Sequence, residues 1–256
     1  MNRRPTHPVS QHAAPHRFRL GRAGILNVWQ YDQQEFAFGD GRLLLRGKNG
    51  AGKSKALEML LPYLLDGDAR ALDATGTGRT TLAWLMLDGF EQTNRLGYLW
   101  VEFCRTDEDG SEQFLTVGAA VRASKSTNSA TPFFFTTTLR IGHDLQLVES
   151  GQPLALDRLR AAVGAGNVLD SARDHRTRVA RELFGLTDAA RYRNLVQLLH
   201  RLRRPTIGDR IESGGLVTVL GETLPALRRR RDRQGRPQPR RSRQRPPGPR
   251  AAGADQ

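Results

Sequence analysis

Residues 47–54 read Gly-Lys-Asn-Gly-Ala-Gly-Lys-Ser, a complete G-x-x-x-x-G-K-[ST] phosphate loop. Glycines at these spacings let the backbone adopt left-handed conformations and bring N–H groups close to an anion. The segment before the loop, RLLLR (42–46), reads as a strand; the segment after it, SKALEMLL, reads as a helix. The loop is therefore expected at a helix N-terminus, where the positive end of the helix dipole favours phosphate. Gly47, Asn49, Gly50, Ala51, Gly52, Lys53, Ser54 and Lys55 are the expected ATP-binding residues. In this chemistry Lys53 reaches the β- and γ-phosphates and Ser54 ligates Mg²⁺, so ATP and Mg²⁺ are the expected cofactors. Three of the chain's four lysines (Lys48, Lys53 and Lys55, but not Lys125) fall in this one segment.

The rest of the chain supplies strands and helices to surround such a loop. RFRLG, EFAF, GYLWVEFCR, QFLTVGAAVRA, PFFFTTTLRI and DLQLVE read as strands from their aromatic and β-branched content. Three successive phenylalanines in PFFFTTTL cannot share one face of a strand, so a buried strand is expected there rather than a base-stacking platform. On the helix after the loop, Ala56, Leu57, Leu60, Leu61 and Leu64 form an apolar stripe, with Pro62 expected to kink it. PLALDRLRAAVG, RTRVARELFGL and AARYRNLVQLLHRLRR read as amphipathic helices; Leu195, Leu198, Leu199 and Leu202 share a face of the last. SGGLVTVLGETLPAL reads as a further, glycine-weakened helix. The expected fold class is α/β, with a mixed sheet and C-terminal helices.

Hydrolysis needs more than the loop: an acidic residue near Mg²⁺ and a group orienting water. The nearest approaches to an apolar strand ending in an acid are LWVEF, with Glu102, and LMLDG, with Asp88. Ser213-Gly214-Gly215 carries the letters of an ABC signature but reads as a loop. Trp29 and Tyr31 precede the loop and either stack on adenine or pack in the core. His7, His12 and His16 lie in a Pro-rich leader and are not expected to bind metal; His143, His175 and His200 read as surface or core-edge residues. Ser171, Asp174 and His175 are sequence neighbours, which is no basis for a catalytic triad. Arg201, Arg203 and Arg204 read as a solvated helix face.

Charge is uneven. Residues 228–256 hold 11 Arg against 2 Asp, a net of +9, which leaves +5 of the chain's +14 for residues 1–227. The tail, with its five prolines, cannot form a coiled-coil arm. One reading is a basic arm for nucleic acid. The other is a shifted reading frame, since CGA arginine codons read one base later open with GA and give Asp or Glu. Residues 1–16 and 227–256 are expected to be disordered. No stretch approaches the ~18 apolar residues of a membrane span. Cys104 is the only cysteine, which excludes an internal disulfide and suits a reducing cytoplasm.

The segment HRFRLGRAGILNVWQYDQQEFAFGDGRLLLRGKNGAGKSKALEMLLPYLLDGD resembles the N-terminal head of SMC-like ATPases, most nearly the Wadjet-type, MukB-like subunit. GRTTLAWLML, RLGYLWVEFCR, FFFTTTLRIGHDLQL, ARELFGL and RYRNLVQLLHRLRRPTI extend the likeness over residues 17–226. The resemblance implies one lobe of an ABC-type head, cut off before its coiled coil. It also implies a second head, accessory kleisin-like subunits and DNA as partners, in a complex that translocates on DNA and restricts plasmids. The signature motif and catalytic acid would lie beyond the coiled coil; the family's Q-loop glutamine is not placed, and Gln197, in a helical stripe, reads as structural or solvated. Such a fragment is expected to bind ATP weakly and hydrolyse it poorly. Two other readings stand beside this one: a stand-alone P-loop NTPase using Glu102 or Asp88, and a nucleic-acid binder acting through the arginine tail.

Overall fold

A computed structural model describes residues 17–72 and 80–202. The leader, residues 213–215, Arg203, Arg204 and the arginine tail, on which several sequence expectations rest, lie outside the described residues.

The backbone of the structure is one six-stranded sheet. Strands β1 (Arg19–Val28) and β2 (Tyr31–Ala37) form a hairpin. The long strands β3 (Asn94–Thr106), β4 (Glu112–Ser124) and β5 (Ser129–Thr137) form a meander. Strands β6 (Val148–Glu149) and β7 (Gln152–Pro153) make a small separate ribbon, and β8 (Val168–Leu169) closes the far edge. The sheet order is β2-β1-β3-β4-β5-β8. Every pairing in it is antiparallel, which corrects the expected mixed sheet. For the β1–β2, β3–β4 and β4–β5 pairs the reason is connectivity: short turns join these strands, and short turns can only return a chain antiparallel.

Two further expectations change. RLLLR does not form a strand: Gly39 and Arg42 make an isolated bridge, and residues 43–48 have no regular structure. This segment forms no ladder with any strand among the described residues. DLQLVE supplies only the two residues of β6. The other strand readings hold in outline, because their aromatic and β-branched content suits a sheet buried on both faces; β5 stops at Thr137, short of the LRI read into it.

The sheet separates two apolar layers. On one face Ile25, Leu99, Val101, Val117, Val121 and Phe134 meet the helices α1 (Lys53–Leu60), α2 (Tyr63–Asp66), α3 (Leu82–Leu87), α5 (Ala172–Phe184) and α6 (Ala189–Leu202). On the other face Tyr98, Trp100 and Phe135 meet Ile141, Leu147 and α4 (Leu156–Val163). Phe134 and Phe135 thus face opposite layers, as expected of a buried strand. Gly24 is required by this second layer, since a Cβ there would lie 2.3 Å from the Trp100 indole.

Helix α1 stops because Pro62 follows: Leu61 takes the extended backbone that a residue before proline prefers. A new short helix, α2, then starts at Tyr63. The buried face of α1 is Ala56, Met59 and Leu60, each methylene worth about 0.8 kcal/mol on burial. Leu57, placed on the stripe by the sequence, is 46% exposed instead. Among the described residues no helix is long and apolar enough to cross a membrane.

Candidate functional site

Residues 47–54 sit where the sequence puts them, leading into the start of α1. Gly50 and Gly52 have φ of 84° and 82°, a left-handed backbone that favours glycine. Gly52 is the N-cap residue and makes no side-chain cap. The first acceptor–donor pair of the helix joins the Ala56 N–H to the Gly52 carbonyl at 2.9 Å. The N–H groups of Gly52, Lys53, Ser54 and Lys55 consequently have no acceptor among the described residues. Helix starts ordinarily resolve this with a Ser, Thr, Asp or Asn cap. Here four donors and the helix dipole are left for an anion.

Lys53 Nζ donates to the carbonyls of Gly47 and Lys48, both at 2.7 Å. The cation therefore lies over the loop rather than out in solvent. Ser54, the second residue of α1, is exposed beside it, as are Asn49, Gly50 and Ala51. Lys55 turns elsewhere: its Nζ donates to Glu58 Oε2 at 2.8 Å and Thr80 Oγ1 at 2.6 Å. Glu58 is a buried carboxylate on α1 that the sequence reading passed over. Its only signal was an acid beside the buried positions of an apolar helix.

The β1–β2 turn supports the loop from the sheet side. Tyr31 donates its hydroxyl to the Gly52 carbonyl at 3.2 Å. A Cβ on Gly52 would lie 2.8 Å from both the Trp29 ring and the Tyr31 hydroxyl. Trp29 also packs on Tyr31 and Trp84, with ring centroids 6.0 and 6.3 Å apart. Both rings are half-buried and pack beneath the loop. Trp29 and Asn27 each have positive φ, 54° and 51°, unusual for residues with side chains. Arg95 holds this strained turn. It donates to Asn27 Oδ1, the Met86 carbonyl and the Trp29 carbonyl at 3.1, 3.0 and 3.0 Å. Burial lowers the pKa of this guanidinium.

Of the two candidate acids, Glu102 is turned away from the loop's helix. Glu102 stands between Val101 and Phe103 on β3, and those two face α1. Glu102 therefore points to the opposite side of the sheet. There it receives Arg22 Nε and Nη2 at 3.0 and 2.5 Å, with Arg140 at 3.5 Å. These bonds, with Glu35, raise the Arg22 pKa. Glu102 is thus a buried structural carboxylate and not a metal ligand beside Ser54. Asp88 is the residue that ends α3, not the end of a strand, and it is exposed.

The remaining candidates also find structural places. Ser171 caps α5, its Oγ accepting from the Asp174 N–H at 3.3 Å, so it does not serve a triad. His175 is a core residue rather than a core-edge one. It is fully buried, its Nε2 2.6 Å from the Leu64 carbonyl and its ring stacked 4.4 Å from Phe134. Burial lowers its pKa to about 4, so it is neutral at pH 7. His143 and Arg201 are exposed. His200 lies 3.2 Å from Asp66, and Gln197 is exposed on α6. Burial raises the Cys104 thiol pKa, which suits a packing residue. Among the described residues no group of three or more His, Cys, Asp or Glu could hold a metal ion. Compared with known proteins, the chain matches no family model and no curated protein.

Proposed function

We propose that the chain binds a nucleoside triphosphate through residues 47–54, as the N-terminal half of an SMC-like ATPase head. The observation that carries this reading is the uncapped start of α1. Four unpaired N–H groups, two left-handed glycines and the Lys53 ammonium surround one loop. Phosphate is the ligand that uses all of them. Mg²⁺ fits the same site in a limited way: Ser54 offers one hydroxyl, and the phosphates themselves would supply the remaining charge. When bound, the ion neutralises charge on the β- and γ-phosphates. This chain's own residues bind and orient the nucleotide. Lys53 exchanges loop carbonyls for phosphate oxygens, and Trp29 and Tyr31 keep Gly52 in place.

The wider role follows the sequence resemblance. In full-length form such a head pairs with a second head and kleisin-like subunits in a DNA-translocating, plasmid-restricting complex. Two features suit a missing second lobe. Leu44, just before the loop, is 73% exposed, and residues 43–48 lack a strand partner among the described residues.

The test is equilibrium binding of ATP with and without Mg²⁺. Lys53→Ala should weaken binding by about 10- to 100-fold, the worth of a charge-assisted contact. Ser54→Ala should weaken it only when Mg²⁺ is present, without lowering the melting temperature. Unchanged ATP affinity in Lys53→Ala would overturn the assignment.

A further inference from the structure

A second cleft lies away from the loop, between α5, α6 and the turn after α2. Its volume is about 680 Å³. Its walls follow helical spacing: Arg173, Arg176 and Ala180 from α5, and Tyr192, Arg193 and Val196 from α6. The α5–α6 connection closes one end with Leu186 and Thr187. Ala180, Tyr192 and Val196 are buried, and the cleft thus has an apolar floor.

The rim is positive, and its charges sort into two groups. Asp68 is already taken by Arg70, whose Nε and Nη2 donate to it at 3.0, 3.1 and 2.8 Å. These bonds hold the Asp68 carboxyl below its ordinary pKa. Asp66 is taken by Arg176 at 3.5 Å and His200 at 3.2 Å. Arg173 and Arg193 have no carboxylate partner among the described residues. Two arginines facing one cleft without an acid leave its charge uncompensated.

We propose that this cleft binds a small organic phosphate of about mononucleotide size, its phosphate on Arg173 and Arg193 and its apolar body on Ala180, Val196 and Leu186. Arginine is the side chain suited to phosphate, through its fork of donors. The volume and the mix of apolar floor and few polar groups match small-ligand sites rather than a flat polyanion track. A nucleic-acid backbone needs rim charge but no buried apolar floor. The proposal is independent of the phosphate loop, which lies at the other end of α1.

The experiment uses adenosine 5′-monophosphate as probe, titrated into the intact chain by calorimetry. The expected result is one equivalent bound with a Kd of about 10 μM to 1 mM. Lys53→Ala should leave that affinity unchanged, although it weakens ATP binding at the loop. The double variant Arg173→Gln, Arg193→Gln should weaken it about tenfold or more. Both arginines are exposed and unpaired, so the double variant should keep the wild-type melting temperature. Adenosine without phosphate should bind far more weakly. Four results would overturn the proposal: no binding, binding lost with Lys53, binding indifferent to the two arginines, or displacement by a single-stranded oligonucleotide that binds more tightly with a steep salt dependence. The last would make the cleft a nucleic-acid groove.

Discussion

His175 shows how one residue's place changes its chemistry. A histidine exposed on a helix titrates near 6.5; this one is sealed between Phe134 and the Leu64 carbonyl and titrates near 4. Desolvation dominates, and the neighbouring Arg176 and Arg178 add to it, while Asp66 and the Leu64 carbonyl oppose it. The unfolded chain takes up its proton as pH falls through about 6.5, but the folded chain waits until about 4. Between those values the unfolded state binds more protons, so stability falls with falling pH. The loss should approach about 3 kcal/mol at pH 4, given about 1.4 kcal/mol per unit. Urea titrations across that window should show it, and His175→Gln should flatten that acid limb. An acid limb of equal depth in the variant would show that other groups carry the effect. Gly52 makes the complementary point: its role lies in what it lacks. Any side chain there would meet Trp29 and Tyr31 while forcing a left-handed backbone.

At the scale of elements, β3 decides which acids can serve the loop. Its odd residues Leu99, Val101 and Phe103 face α1, and its even residues Tyr98 and Trp100 face α4. Glu102 falls on the even face, paired with Arg22. Glu102→Gln should therefore destabilise the fold by about 1.5–3 kcal/mol, the cost of a broken buried charge pair. ATP affinity should not change, and a loss of affinity at full stability would put Glu102 at the nucleotide. The strands and helices themselves were legible because alternation and 3.6-residue spacing are local signals. The phosphate loop was legible for the same reason: glycine, lysine and serine at fixed spacing dictate the uncapped helix start. RLLLR misled because three leucines read as a strand only when another strand lies beside them, and pairing is not a local property. Leu57 misled because it lies at the edge of the stripe: the buried face centres on Ala56, Met59 and Leu60, and Leu57 falls on its solvent side. The Arg95 clamp on the Trp29 turn carried no signal at all. A buried arginine bonded to backbone carbonyls looks, in sequence, like any surface arginine.

The described residues have a lopsided construction. Five of their helices and one face of the sheet enclose a continuous core, yet the phosphate loop stands at the margin of that core, on α1. The preceding segment forms no ladder with any strand among the described residues, and Leu44 and Leu57 present apolar surface to solvent. A phosphate loop in this setting can cradle an anion, because that task needs only the loop and the helix behind it. Hydrolysis asks for a carboxylate near Mg²⁺ and a group aligning water on the open side of the loop. Of the acids weighed for that part, Glu102 is held by Arg22 across the sheet, and Asp88 is an exposed residue at the end of α3. The purified chain should therefore bind ATP and turn it over at about 10⁻³ s⁻¹ or slower, the level of a phosphate loop without its partner groups. Asp88→Asn should leave that rate unaltered. A phosphate-release assay reading about 1 s⁻¹ or faster, abolished by Asp88→Asn or Glu102→Gln, would instead describe a stand-alone NTPase. The two outcomes separate because a stand-alone NTPase needs an acid of its own at the loop, and these two variants remove the acids that the sequence offers for that part.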